Sequence, residues 1–428
     1  MRDFSTKPEH QHYDGGTVGE TIELTLDAMA HGGSALGRHE GRVVFVPYTI
    51  PGERVRARIT DDKERYAHAE PVEILDPSPD RVEPPCPHFG PGKCGGCHLQ
   101  HAAYDRQLEM KRRVVVDQLE RIGKVKGTTV HPTIPSPSPW AYRSHAAFHA
   151  RADGRLGYYS DDASHIVPIT ECHIIRPALM DLFTQLDLEG VETVERVKLQ
   201  VGADPADRMI VLSTSDDLAP EIEVDFPVSV NLLLSDNEPV NLIGSPQVTY
   251  RVFDRAFQVT AGGFFQANVP VAEALIEQVL LRLDLQGDET VLDLYSGVGL
   301  FTAFIAERAG LVVSVESYPP AVTDADANLS DLDNVEIVEG PVEGVIADLA
   351  GPFNAVVVDP PRTGLSNEAI DELARLDAPR IVYVSCDPAT LARDARKLAG
   401  HGYRLIDVQP ADMFPQTYHV EAVALLES

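Results

Sequence analysis

The sequence predicts a multidomain protein. It has a small N-terminal β-barrel of the OB-like kind, a central α+β region carrying a cysteine loop, and a C-terminal α/β domain with a doubly wound, Rossmann-like sheet. Three observations predict it. Short alternating strands crowd residues 15–76, a Gly-rich loop with three cysteines follows a run of prolines, and strands alternate with helices over 263–428. Residues 1–14 read as a flexible tail, and 77–262 make up the central region.

A chain of 428 residues has room for two or three cores. The net charge of −30, from 36 basic and 66 acidic residues, argues against indiscriminate nucleic-acid binding, although a local basic face can still dock. No apolar run reaches the roughly 18 residues of a membrane span. The opening MRDFSTKPEHQHYDGG lacks an apolar signal core, so a cytoplasmic protein without membrane contact is expected. Five cysteines in such a chain are too few and too unevenly spaced for a disulfide framework.

In the first segment Ile22, Leu24 and Leu26 alternate, and RVVFVPY at 42–48 is a short apolar strand. ERVRARIT at 53–60 turns Val55, Ala57 and Ile59 inward and Arg54, Arg56 and Arg58 outward. That arginine stripe is either a phosphate track or the solvated side of a sheet. A strand over 65–75 then runs into a proline-rich linker that ends the barrel.

CPHFGPGKCGGCHLQH follows, with Cys86, Cys94 and Cys97 spaced C-x7-C-x2-C and a fourth thiol, Cys172, at long range in ITECHII. Thiolates gathered on a glycine loop point to a metal. An iron–sulfur cubane fits three clustered cysteines plus a distant one better than zinc, for which a second C-x2-C or a histidine pair is usual. Zinc and mere clustering stay open on spacing alone. Residues 104–122 read as one amphipathic helix with Leu108, Val115, Leu119 and Ile122 on its apolar face, Lys111, Arg112 and Arg113 opposite or flanking, and Gly123 as its stop. Aromatic and basic residues interleave over 140–161 around a DGR turn, as in an RNA-stacking surface or an ordinary half-buried hairpin.

From there the strands TVLDLY, LVVSVES, VEIVEG, NAVVVDPP and PRIVYVSC each precede a helix, and two final strands close the sheet. In such sheets ligands bind beyond the carboxyl ends of the strands, and four strand ends carry chemistry. The first is Asp293-Leu-Tyr-Ser-Gly297-Val-Gly299, where glycines let a ligand approach the backbone. Thr302 replaces the third glycine of a dinucleotide fingerprint, so the form suits S-adenosylmethionine, which has no pyrophosphate. Glu316 ends the second strand, placed to accept ribose hydroxyls, and Asp359-Pro360-Pro361-Arg362 ends the fourth. Adenine- and cytosine-amino methylating enzymes follow a similar acidic-Pro-Pro element with an aromatic residue; Arg362 disfavours that reaction. Cys386 ends the fifth strand. A uracil C5 takes a methyl group only after a thiolate has added at C6, and a base must then remove the C5 proton. Glu421 on the last strand is the candidate base.

The set FFQAN, DLYSGVGLFT, DPPR, VSCDPATLARD and MFPQTYHVE resembles the RNA uracil-5-methyltransferases that use S-adenosylmethionine. CPHFGPGKCGGC with a lone later cysteine is similar to their iron–sulfur members, which carry an N-terminal TRAM barrel. The resemblance implies Cys386 as nucleophile, Glu421 as base, and Gln266, Tyr295, Glu316 and Asp359, with Gly297 and Gly299, around the methyl donor. It implies Cys86, Cys94, Cys97 and Cys172 as ligands of a [4Fe–4S] cluster, and a helix near 98–124 packed on the catalytic domain. Leu300 and Pro341 depart from polar residues of some members, and C-x7-C is longer than C-x5-C. The expected substrate is a uridine in structured RNA, with 23S ribosomal RNA favoured by the TRAM resemblance and transfer RNA the alternative. No obligate protein partner is evident. A non-catalytic RNA-binding factor on the same fold is disfavoured by the intact Cys386 and Glu421. A DNA C5-methylating enzyme is disfavoured because Cys386 lacks a Pro-Cys context.

Overall fold

The computed structural model describes residues 18–428; the expected tail at 1–14 lies outside the described residues. The chain divides into two compact units, Met1–Arg81 and Val82–Ser428.

The first unit holds a closed five-stranded barrel in the order Thr21–Met29, Ala35–His39, Arg42–Val46, Tyr66–Asp76, Arg54–Asp62, the last pairing back on the first. The strict alternation drives closure. Ile22, Leu24, Val55, Ala57 and Ile59 are all buried, and a closed sheet leaves no edge to pair with another chain. The arginine stripe is the solvated face, and it is paired. Arg54 reaches Glu23 and Asp76 at 3.2 and 2.8 Å, Arg56 bonds Glu23 and Glu73, and Arg58 bonds Glu70. Cross-strand carboxylates neutralise it, so these three arginines do not form a free phosphate track.

Glu53 is the barrel's buried charge. Its carboxylate accepts the Ile50 and Ser78 amides at 2.9 and 3.1 Å and the Arg81 guanidinium at 2.6 and 2.7 Å. Burial alone pushes its pKa up, but Arg81 and the two amides outweigh it, and the net shift is downward. Glu53→Ala strands Arg81, so the barrel is expected to lose about 3 kcal/mol, read as faster hydrogen exchange along Arg54–Asp62. The sign with pH follows from the lowered value. The contribution is present above the ordinary carboxylate range and disappears as pH falls through the depressed one.

In the second unit a seven-stranded sheet runs Pro239–Ile243, Ser229–Leu233, Arg208–Thr214, Val194–Val201, His145–Ala150, Leu156–Tyr159, Ile166–Pro168. An eight-stranded sheet runs Val335–Glu339, Leu311–Glu316, Thr290–Leu294, Ala355–Val358, Arg380–Ser385, Glu421–Glu427, Arg404–Ala411, Thr129–Val130. Its first five strands are parallel, and the four inside the edge strand Val335–Glu339 are near-continuously apolar, as strands buried on both faces must be. Glu421–Glu427 runs antiparallel to both its neighbours, so the doubly wound sheet is mixed at one side. Thr129–Val130, two residues with no periodic signal of their own, adds the edge.

The helix Tyr104–Gln118, continued by a wider turn at Leu119–Gly123, packs on this sheet. Val115 and Leu119 join Leu391, Ala392 and Ala395 of the helix Pro388–Gly400 in one core. Its buried face differs from the sequence expectation. Gln107, Met110 and Lys111 are buried and Leu108 is only partly so, because this face meets polar loop backbone as well as apolar side chains.

Candidate active site

Cys386 follows the strand Arg380–Ser385 and precedes the helix Pro388–Gly400. Asp387 caps that helix, its Oδ1 accepting the Ala389 and Thr390 amides at 2.8 and 3.3 Å, and Ser385 Oγ donates to the Asp387 carbonyl at 3.0 Å. These bonds fix the turn that presents the thiol. The antiparallel register pairs Ser385 with Ala422 and so brings Cys386 beside Glu421. Cys386 is half-buried, and burial, then Glu421, Asp359 and Asp387, push its pKa up to about 12 against the opposing Arg362. Glu421, 5% exposed, is raised to about 8 by burial and then by Asp359. Asp359, at the end of the next parallel strand, is raised to about 7 by burial and then by Asp293. A thiol and two carboxyls of raised pKa thus share one electrostatic neighbourhood, the pattern of an acid–base site.

The glycine turn lies beyond the strand Thr290–Leu294. Tyr295, Gly297 and Gly299 all have positive φ, and a side chain on Gly299 would strike Leu329 at 2.7 Å, whereas Gly297 opens onto free space. Glu316 Oε2 accepts the Gly297 amide at 2.9 Å and Oε1 accepts the Ser317 and Tyr318 amides at 2.7 Å each, so this carboxylate also holds the turn. Asp293 is fully buried. Its Oδ2 accepts Thr302 Oγ1 at 2.6 Å, Oδ1 has no partner, and its pKa is raised to about 7 by burial. Tyr295 directs its hydroxyl to Glu343 at 3.5 Å. Gln266 is buried in the bend between the strand Arg255–Thr260 and the helix Val269–Leu283. Leu300 is a buried apolar residue at the start of its helix, and Pro341 sits just before the helix Val342–Asp348.

Cys86, Cys94, Cys97 and Cys172 line one small cavity with Phe89, Tyr158 and Ile174. No two of them form a disulfide. The loop docks on a strand end, Gly95 donating to the Tyr159 carbonyl at 2.9 Å; a side chain on Gly95 would come within 3.0 Å of two carbonyl oxygens. Burial raises all four thiols, Cys94 to about 11. Among the described residues no three His, Cys, Asp or Glu side chains are arranged to hold a single metal ion. The donor chemistry, four convergent soft thiols, fits a multi-iron sulfide cluster, whose irons are spread over several sites.

The loop between Arg404–Ala411 and Glu421 carries the motif MFPQTYHVE, but the sequence assigns no role to its Tyr418 and His419. Tyr418 and His419 lie 4.2 Å apart, His98 stacks edgewise on Tyr418 at 4.6 Å, and Arg362 bonds the Tyr418 hydroxyl at 3.3 Å. The sequence signal was the motif MFPQTYH itself, whose order carries no periodicity. Neither of two cavities, of about 350 and 650 Å³, includes Cys386 in its lining, and the reacting groups lie at strand ends.

Among the described residues no helix is long and apolar enough to cross a membrane. The TRAM domain family matches residues 16–72, and the family described as tRNA (Uracil-5-)-methyltransferase matches residues 346–428. An uncharacterized RNA methyltransferase of Streptomyces coelicolor is 39% identical over 96% of this chain and 93% of its own. One from Halalkalibacterium halodurans is 34% identical over 95% and 97%. The crystal structure of Pyrococcus abyssi tRNA (uracil-54, C5)-methyltransferase in complex with S-adenosyl-L-homocysteine is 26% identical, with a TM-score of 0.72, covering 95% of this chain and 100% of that one. With its barrel, its strand-end thiol and relatives of this similarity along nearly its whole length, the chain belongs to the TRAM-bearing RNA uracil-5-methyltransferases.

Proposed function

We propose that this S-adenosylmethionine-dependent enzyme methylates C5 of a uridine in structured ribosomal RNA, of the 23S type, with Cys386 as nucleophile and Glu421 as base. The observation that carries the reading is the register placing Cys386 beside Glu421, with Asp359 on the adjacent strand. S-adenosylmethionine, when bound, supplies an electrophilic methyl group on a cationic sulfonium, whose charge favours the anionic forms of neighbouring acids. Gly297, Gly299, Glu316, Tyr295, Gln266 and Asp359 are the residues proposed to hold it. The target base leaves its stack, as loop or bulge RNA permits. The Cys386 thiolate forms a bond to C6, and the displaced electron pair makes C5 nucleophilic. After C5 has gained the methyl group, Glu421 takes the C5 proton. The returning electrons restore the C5–C6 double bond and expel Cys386 as thiolate.

Transfer RNA is the second reading, because the similar solved enzyme of Pyrococcus abyssi acts on tRNA. Covalent trapping decides both points. Protein made without oxygen is mixed with S-adenosylmethionine and 5-fluorouridine-substituted ribosomal or transfer RNA. Fluorine cannot leave C5 as a proton, so the adduct persists on a denaturing gel. An adduct with wild type that is absent in Cys386→Ala is the expected result, and the RNA that traps names the substrate. No adduct with either RNA overturns the mechanism.

Cys86, Cys94, Cys97 and Cys172 are proposed to hold a [4Fe–4S] cluster as a structural staple, supported by their shared cavity. Anaerobically purified protein should carry about four irons and four sulfides per chain. Stoichiometric zinc without sulfide would replace this assignment.

A further inference from the structure

The loop at 412–420 leads directly into Glu421, yet most of its anchors come from a segment some three hundred residues earlier. The Gln416 carbonyl accepts two successive amides, those of His98 and Leu99, at 2.9 Å each. His98 is the residue after Cys97. Gln416 also exchanges bonds with Gln107 of the helix Tyr104–Gln118. Gln107 Nε2 donates to Gln416 Oε1 at 3.0 Å, and the Gln416 amide donates to Gln107 Oε1 at 3.1 Å. Both side chains are buried, at 1 and 2% exposure, and Gln107 also holds the Ala102 carbonyl at 2.8 Å. Gln416 has a φ of +69°, a conformation that costs a non-glycine residue energy and persists only where surroundings hold it. Five hydrogen bonds therefore converge on one strained residue five positions before the candidate base.

We propose that Gln107 and Gln416 are positioning residues of the reaction, locking the loop that delivers Glu421 onto the turn that follows Cys97. The inference rests on the proposed role of Glu421, and it ties the cysteine loop to the reacting end of the sheet. The pair supplies no chemistry of its own, because neither side chain ionises. Its effect is to hold the backbone leading to Glu421, where small displacements of a base cost rate.

Hydrogen exchange on the full-length, cluster-loaded protein tests the clamp without RNA. In Gln107→Ala, amides of 98–99 and 412–421 should exchange roughly tenfold faster while the strand Arg380–Ser385 keeps its protection. Unchanged exchange at 412–421, or a uniform rise across the chain, overturns the proposal. Should Gln107→Ala fail to fold, Gln416→Ala, which keeps the three bonds made by the Gln416 backbone and loses the two made by its side chain, decides by the same criterion with a smaller rise. In turnover, kcat should fall roughly tenfold with KM for S-adenosylmethionine unchanged within about twofold, because the glycine turn lies on other strands. A fall in kcat/KM carried wholly by KM overturns it as well. Because exchange requires no substrate, loss of the clamp and loss of the uridine mechanism are separately visible.

Discussion

Glu421→Gln accumulates a methylated protein–RNA adduct on ordinary uridine RNA, a species that wild-type protein resolves too quickly to show. The substitution keeps the size and removes the proton acceptor. Addition of Cys386 and methylation of C5 go forward, while loss of the C5 proton stalls. A positioned general base contributes about 10²–10⁴-fold, so steady-state turnover should fall by that range. Cys386→Ala, by contrast, should abolish both product and adduct. A denaturing gel with methyl-labelled donor separates the two variants. If Glu421→Gln turns over like wild type, another group takes the proton.

The same carboxyl sets a pH dependence. Burial and then Asp359 raise Glu421 to about 8 in the ligand-free protein. A base works only when ionised, so the elimination rate should climb with pH up to this value and fall as pH drops below it. Asp359→Asn removes the like charge, which should move the acidic limb of the elimination rate, read in kcat, to lower pH.

Much of this site was legible in the chain. Asp293, Asp359 and Cys386 each end an apolar run that reads as a buried strand, and parallel sheets place those ends together. The barrel was legible because Ile22, Leu24, Val55, Ala57 and Ile59 alternate strictly. What periodicity could not reveal is which charge is inside. Arg54, Arg56 and Arg58 read equally as a phosphate track or as a solvated sheet face; their partners Glu23, Glu70, Glu73 and Asp76, which decide for the second, lie on other strands, and only the register joins them. Lys111, read as opposite or flanking the helix's apolar face, is buried for the same reason. Its partner is Asp412, three hundred and one positions away, and nothing local in the helix marks the site as closed. The reciprocal bond of Gln107 with Gln416 is equally non-local.

Lys111→Ala should destabilise the second unit by about 3–5 kcal/mol, the cost of leaving one member of a buried ion pair alone. Lys111 and Asp412 are 2% and 0% exposed, their charged atoms are 2.5 Å apart, and Lys111 Nζ also donates to the Phe414 carbonyl at 3.0 Å. Removing the ammonium strands the Asp412 carboxylate in a site water cannot reach. The double variant Lys111→Met/Asp412→Leu removes both charges at similar volume and should recover most of the loss, since a buried pair often repays little more than its own desolvation. Urea unfolding measures both variants. Methylation need not follow stability: the Phe414 carbonyl still accepts Thr417 Oγ1 at 2.8 Å, but its tie to the helix is gone in either variant. A double variant that is stable yet roughly tenfold slower would assign Lys111 to placing the loop that carries Tyr418, His419 and Glu421. Recovery of both stability and rate would assign it to packing alone.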